Sequence, residues 1–473
     1  MSDTPSVVYN EVDFLLPAHR FHVTFSYVTK AGLPFVREFV LRLLHVSALT
    51  PIELAKYFGF SEREAKEAIT DLLNKGDVRY NDDGNVELTS QSNRYFSSLG
   101  STPQVATVKE IGTVLSFELS SFNCIGNKAN GGTWHCGIKL DIDHEIIATS
   151  QALASLNFQK QFYEIFEKGY IQSLRKLDGP DRPRIYTMGT VKKLGQSPLR
   201  LTTTFSLGTD GIPIERNDFD VLDDSEKAHE LITASLSNSK KAGNLIEISH
   251  AMNTLNDTWT RDLLNDNSLD VATLVRKRAV SLLKDESVIP LIGQLYSQGN
   301  WELIYTDLKE IFPKIKKPDS DKKLNMIWLA PSDNFWEASN RLPTIAEDFV
   351  DCVRTFKSEQ IINRPIMYLP VSDAGDNKSI SKWSRELSNV QGDLKGLLEG
   401  FLDGNVEIMI VENNYVAVCY HYRSALLPVT LPVGFVSKNL TIIHSIQKVV
   451  FEYIAGMTSF DNPNDIGLLY RRK

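Results

Sequence analysis

Three patterns in the 473 residues predict a multidomain α/β fold. Through residues 35–75 apolar side chains recur at helical spacing, and two short strand-like runs around an Asp83-Gly84 turn follow them. From residue 324 onward, strand-like and helix-like runs alternate, the pattern of a sheet covered by helices. Between these ends lie a β-rich stretch, 105–220, and a nearly all-helical one, 223–317. The length is that of two to four domains, with ample chain for a large core.

Residues 1–34 form an extension with one predicted strand, in which Phe21, Val23, Phe25 and Tyr27 alternate with His22, Thr24 and Ser26. A helix follows, with Phe35, Val36, Phe39, Val40 and Leu43 on one side. Thr50-Pro51 is an N-cap and first-turn pair for a second helix. Gly59-Phe60 ends it, and the capping box Ser61-x-x-Glu64 opens a third. Ala65, Ala68, Ile69, Leu72 and Leu73 face one way on that helix, which Gly76 terminates. Ile69, Leu72 and Leu73 are expected to be buried. Residues 78–80 and 86–88 are the arms of a hairpin, and a last helix is expected at 90–98. This order of helix, helix-turn-helix and hairpin over 35–100 resembles a winged-helix domain of the MarR-like and TrmB-like type. The resemblance implies that 61–75 is a DNA-recognition helix, with Arg63 and Lys66 near its start and Arg79 on the wing. Against DNA stand Glu62, Glu64, Glu67 and Asp71 on the same helix and Asp82-Asp83 at the hairpin tip, because phosphate binding needs neutralising charge.

An α+β unit is expected over 105–220, with strands at 111–119, 137–142, 184–191, 199–207 and 212–214 and one helix over 146–176. Lys168, Arg175, Lys176, Arg182, Arg184, Lys192, Lys193 and Arg200, opposed in that span only by Asp178 and Asp181, make it the best cationic footprint in the chain. The tight turn before Arg182-Pro183-Arg184 predicts that these side chains are displayed on a loop. The connector 223–317 is expected to be nearly all helical, 288–296 included, with Arg276, Lys277 and Arg278 exposed on a helix. The final unit, 324–473, is expected to carry a mostly parallel sheet, with strands at 326–330, 365–369, 406–411 and 415–419 and helices at 345–356, 394–402 and 442–454. The run 434–439 resembles the tail of phospholipase-D-like domains, a degenerate copy of which TrmB-type regulators pair with a winged helix. That family's active motif is His-x-Lys followed by Asp. Here His421 precedes Tyr422-Arg423, so the resemblance implies a binding module without catalysis.

Asp333 and Asp373 each follow a strand, and Glu412 ends a third; together they could hold Mg²⁺, or simply cap the next helices. Cys124, His135, Cys136 and His144 match no common metal spacing. There is no phosphate-binding loop, GxGxxG, HExxH or GxSxG, so no metal or other cofactor is expected. Four scattered cysteines fit a reducing compartment, and the first residues carry no signal pattern, so a cytoplasmic location without membrane attachment is expected. A net charge of −8 excludes a protein that binds nucleic acid over its whole surface but allows one basic face. The expected function is a non-catalytic DNA-binding protein, a regulator or the DNA-engaging subunit of a larger machine, with double-stranded DNA and proteins as partners. The alternatives are a scaffold in a phage-defence or DNA-processing complex and a metal-dependent nuclease.

Overall fold

The computed structural model describes residues 6–32, 35–99, 101–127, 136–174, 182–208, 210–239, 242–265, 268–284, 287–316, 322–373 and 375–457. The alternation around Phe21 belongs to a pair of long strands, β1 (Ser6–Leu16) and β2 (Ala18–Gly32), separated by Pro17. Proline has no N–H to give a ladder, and here the chain leaves one sheet for another.

After β2 come α1 (Phe35–Val46), α2 (Pro51–Phe58), α3 (Glu62–Asn74), a hairpin of β3 (Val78–Tyr80) and β4 (Val86–Leu88), and a single turn, α4 (Ser90–Asn93), shorter than the expected helix. Both expected caps form as capping boxes, Thr50 with Glu53 and Ser61 with Glu64. Gly59 and Gly84 take the left-handed backbone that their turns require. Val40, Leu41, Leu44, Leu54, Ile69, Leu72, Val78, Val86 and Leu88 make a core of their own. Leu73 is only half-buried.

The chain then returns as β5 (Gln104–Glu118), antiparallel to β2 over its whole length, from Ala18 opposite Glu118 to Gly32 opposite Gln104. The helical unit is thus inserted at the end of a long two-stranded ladder. Next come β6 (Ile138–Lys139), α5 (His144–Lys160), α6 (Phe162–Glu167), β7 (Arg184–Gln196) and β8 (Leu199–Gly208). The single helix expected over 146–176 is broken at Gln161. Its side chain accepts from the Cys124 N–H at 2.9 Å and donates to the Phe122 carbonyl at 2.8 Å. β7 adds to the free edge of β2, giving the order β5-β2-β7, while β8 and β6 flank β1. One face of β5-β2-β7, with Phe21, Val23, Phe25, Leu115 and Phe117, packs on Ala154, Phe158, Phe162 and Ile165 of α5 and α6.

The stretch expected to be nearly all helical contains α7 (Glu226–Asn238), α8 (Leu245–Thr254), α9 (Thr258–Arg261), a small hairpin of β9 (Leu264–Asn265) and β10 (Ser268–Leu269), and α10 (Val271–Lys284). It then departs from expectation: Val288–Ile292 is strand β11, followed by α11 (Gln298–Ile311). The remainder is β12 (Met326–Leu329), α12 (Arg341–Thr355), β13 (Ile366–Val371), α13 (Asn377–Glu386), β14 (Leu394–Leu398), β15 (Val406–Val411), β16 (Tyr415–Tyr422), β17 (Leu431–Ser437) and α14 (Leu440–Gly456). Leu394–Leu398 is therefore strand, where a helix over 394–402 was expected. The seven strands lie in the order β11-β17-β16-β15-β12-β13-β14. Only β12–β13 and β13–β14 pair in parallel, so the expected mostly parallel sheet is instead mixed and largely antiparallel. The turn at Asn413-Asn414 is too short for a helical crossover and forces β15 and β16 into a hairpin.

A continuous core joins Tyr9, Val12 and Phe14 of β1, Leu201 and Phe205 of β8, Ile232, Ile248 and Leu274 of α7, α8 and α10, and Trp328, Ile410 and Val418 of the large sheet. The fold is a mixture of helices and several sheets, of the broad α/β class. Among the described residues no helix is long and apolar enough to cross a membrane.

Candidate nucleic-acid interface

The outer side of α3 is exposed, Arg63 and Lys66 with it. Arg63 is not unopposed, since its Nε lies 3.1 Å from Glu67 Oε1 one turn on, the spacing at which helix side chains meet. Arg79 on β3 likewise reaches Glu87 on β4 at 2.7 Å. Both pairs are largely exposed, so phosphate competes with them at little cost. Glu64 and Glu53 are held below the usual carboxylate range by the backbone and hydroxyl donors of their capping boxes. They stay anionic and favour the helix N-termini. Beside the hairpin, Asp77 is fully buried and takes Arg37 Nε at 2.6 Å, which ties the start of α1 to the loop after α3.

The expected cationic footprint is split by the fold. Arg175 and Lys176 lie outside the described residues. Arg182 is exposed and meets Glu167 at 2.9 Å. Arg184 and Lys192 are exposed on β7, of which Arg184, expected on a loop with Arg182, is the first residue. By register Lys192 lies opposite His22 and Arg184 opposite Val28, on the face of β5-β2-β7 turned away from α5 and α6. Lys193, one residue on, points to the inner side, with Nζ 3.1 Å from His19 Nε2. The other ring nitrogen of His19 is 3.0 Å from Ser150 Oγ, whose hydroxyl donates to the Ile147 carbonyl. This chain of bonds places the proton on Nδ1 and makes Nε2 the acceptor. Burial, then the Lys193 charge, push the His19 pKa down to about 4, so the ring is neutral at pH 7.

Arg200 has a different task from the one expected. It is almost completely buried and pairs with Asp13, which also accepts from Thr202 Oγ1 at 2.6 Å and the Asn340 N–H at 2.7 Å. It binds β8 to β1 and is not available to phosphate. In the run 276–278, Lys277 lies over the Trp259 ring, and Arg278 is largely buried and donates to the Ile292 carbonyl at 3.2 Å. The expected exposure of that run holds at Arg276 and fails at Lys277 and Arg278, both part-buried. Sequence reading missed Arg20 and the imidazole of His22, which share the outer sheet face with Lys192 and Arg184. The available signal was the polar half of the Phe21–Tyr27 alternation.

The three carboxylates weighed as a metal site are not brought together. Glu412 binds the N–H and side chain of Asn325, both at 2.8 Å, at the start of β12. Asp333 lies past the other end of that strand, and Asp373 bonds the Gly375 N–H at an exposed turn. Asp333 instead belongs to a buried centre. Its Oδ2 is 2.8 Å from His421 Nδ1, and its Oδ1 accepts from Thr430 Oγ1 at 3.2 Å. On the far side of the imidazole, Nε2 lies 3.6 Å from Glu407, which also accepts from Trp328, Trp336 and the Leu295 N–H. Burial alone lowers an imidazole pKa, but the bond to Asp333 and the nearby Glu407 carboxylate outweigh it and raise His421 to about 9. It is an imidazolium at neutral pH. Burial raises the Asp333 pKa, yet the bond to His421 more than offsets that and holds it below the usual carboxylate value. The indole donors and the flanking carboxylates leave this centre with a structural task, locking β12, β15 and β16 together.

No protein-family model matches the chain, and no curated protein or solved structure matches it.

Proposed function

We propose that the chain is a DNA-binding protein without catalysis, acting as a regulator or as the DNA-engaging part of a larger machine. One observation carries the reading: a three-helix and hairpin unit with its own core stands at the end of the β2–β5 ladder, the outer side of α3 exposed. Lys66 and Arg63 are the α3 cations that a DNA groove would meet. Fluorescence anisotropy with labelled duplexes of different sequence tests it. Wild type binds at low salt, and Arg63→Ala with Lys66→Ala changes the preference between sequences, because groove contacts carry sequence information. Absence of binding to any duplex at low salt overturns the reading.

A second reading, docking of the same unit on a protein, is favoured by the charge of α3 and by two exposed aromatic rings. Glu62, Glu64, Glu67 and Asp71 outnumber Arg63 and Lys66 on the helix. The rings of Phe35 and Phe39 meet at a tilt, centroids 4.5 Å apart, near the start of α1, with Phe35 74% exposed. Such a protein would capture a partner through this unit and show no duplex affinity.

A further inference from the structure

We propose that the face of the β5-β2-β7 sheet turned away from α5 and α6, open from His22 to Val28 and covered beyond Arg20 where Ser116 and Glu118 are buried, is a track for the phosphate backbone of duplex DNA. The inference rests on the DNA-binding reading above and names a surface for it outside the helical unit. Strand alternation sorts the side chains. Phe21, Val23, Phe25 and Tyr27 point to α5 and α6, so Arg20, His22, Thr24, Ser26 and Val28 point the other way. Their partners across the ladder are Gly195, Lys192, Thr187 and Arg184 on β7 and Ser116, Val114, Gly112 and Glu110 on β5. Arg20, His22, Lys192 and Arg184 thus stand on one face of a chain whose net charge is −8. Glu110 opposes them, while Glu118 at the ladder's end is buried and occupied by Ser120, Ser121 and Asn123.

Arg20, Arg184 and Lys192 make no ion pair among the described residues, and Arg20 Nε is buried without a hydrogen-bond partner. A guanidinium held partly out of water with no counter-ion is costly unless an anion completes it. The relief of the face is low. A Cβ at Gly112 would come within 2.8 Å of His22 Nε2, and one at Gly189 within 2.5 Å of Thr24 Oγ1, so both glycines let the neighbouring side chain lie across the strand. Thr24 and Thr190, joined at 3.1 Å, and Ser26 and Thr187 add hydroxyls of the kind that bond phosphate oxygens. Arg184 and the Lys192–His22 pair are six β2 residues apart, about 20 Å at ~3.4 Å per residue. Over about 20 Å of axis a duplex carries roughly a dozen phosphates, one per ~1.7 Å with both strands counted, so the two cationic points meet phosphates of the two strands on the side that faces the sheet.

The test titrates a 30-base-pair duplex of mixed sequence over a range of salt, comparing wild type, Arg184→Glu with Lys192→Glu, and Arg20→Gln. The first two positions are exposed on an edge strand, and thermal melting checks the fold of the third. The expected result is an affinity loss of about ten-fold or more for the double variant, equal on unrelated sequences. The log–log salt slope flattens by about 0.9 for each phosphate contact removed, in Arg20→Gln as well. Wild-type affinity and slope in both variants would overturn the track while leaving DNA binding by the helical unit intact. If wild type ignores the duplex but binds single-stranded RNA of equal length through the same cations, the occupant is wrong. If it binds neither, the DNA-binding reading falls with the track.

Discussion

At the scale of single residues, the fold decides which charges face solvent and which become fasteners, and local sequence does not reveal the difference. Lys192 and Lys193 are neighbours, yet one faces outward opposite His22 and the other bonds His19 on the inner side. Arg200 ends the same run and meets Asp13, 187 residues earlier in the chain. The His421 centre is equally nonlocal, drawn from β15, β16 and the segment after β12. Because the His421 pKa is raised from 6.5 to about 9, its stabilisation is complete below about pH 6.5 and is lost as pH rises through about 9. Urea denaturation should show wild-type stability falling between pH 7 and 9.5, with His421→Leu lacking that component. At pH 7 the variant should lose about 3–5 kcal/mol, since Asp333 and Glu407 are left buried without their cation. A variant as stable as wild type would show that the imidazolium holds nothing together.

Elements whose signals are local were legible, and those chosen by their neighbours were not. Thr50, Ser61 and Asp83-Gly84 each specify a cap or turn within four residues, and all three form as read. The run 394–402 has helix-like apolar spacing, but 394–398 pairs with β13 as the sheet edge, a tertiary choice that no short window contains. Val288–Ile292 holds Pro290, which an edge strand tolerates and a helix interior does not. Reading it as helical overlooked that rule. In the helical unit, Leu72→Ala should cost about 2–5 kcal/mol, because Leu72 is 2% exposed in a core of modest size. The loss should appear as earlier melting of residues 35–99, followed by hydrogen exchange, with the exchange of β15 and β16 unchanged. Uniform loss across both regions would mean that the two cores unfold as one.

For the whole molecule, the order of strands separates what the sequence order mixes. β2 and β5 flank the helical unit in the chain and pair along fifteen residues, so they need nothing between them except a turn. Replacing residues 33–103 with Asn-Gly should therefore leave a folded protein, since that dipeptide closes antiparallel strands readily. Near-ultraviolet circular dichroism should retain the tryptophan signal from Trp301, Trp328, Trp336 and Trp383, which cluster in the large core. Aggregation, or loss of that signal, would show that the helical unit supports the rest of the fold.

The β2–β5 ladder also works as a ruler. Each paired residue adds about 3.4 Å, and each odd step reverses which face a side chain occupies. Lengthening both strands by two residues beyond Gly32 and Gln104 would carry the helical unit about 7 Å farther out and keep every face as it is. Lengthening them by one residue would turn its attachment to the opposite side. The distance and the bearing at which this chain presents its end unit are therefore counted in residue pairs, and an integer change in that count is enough to reset them.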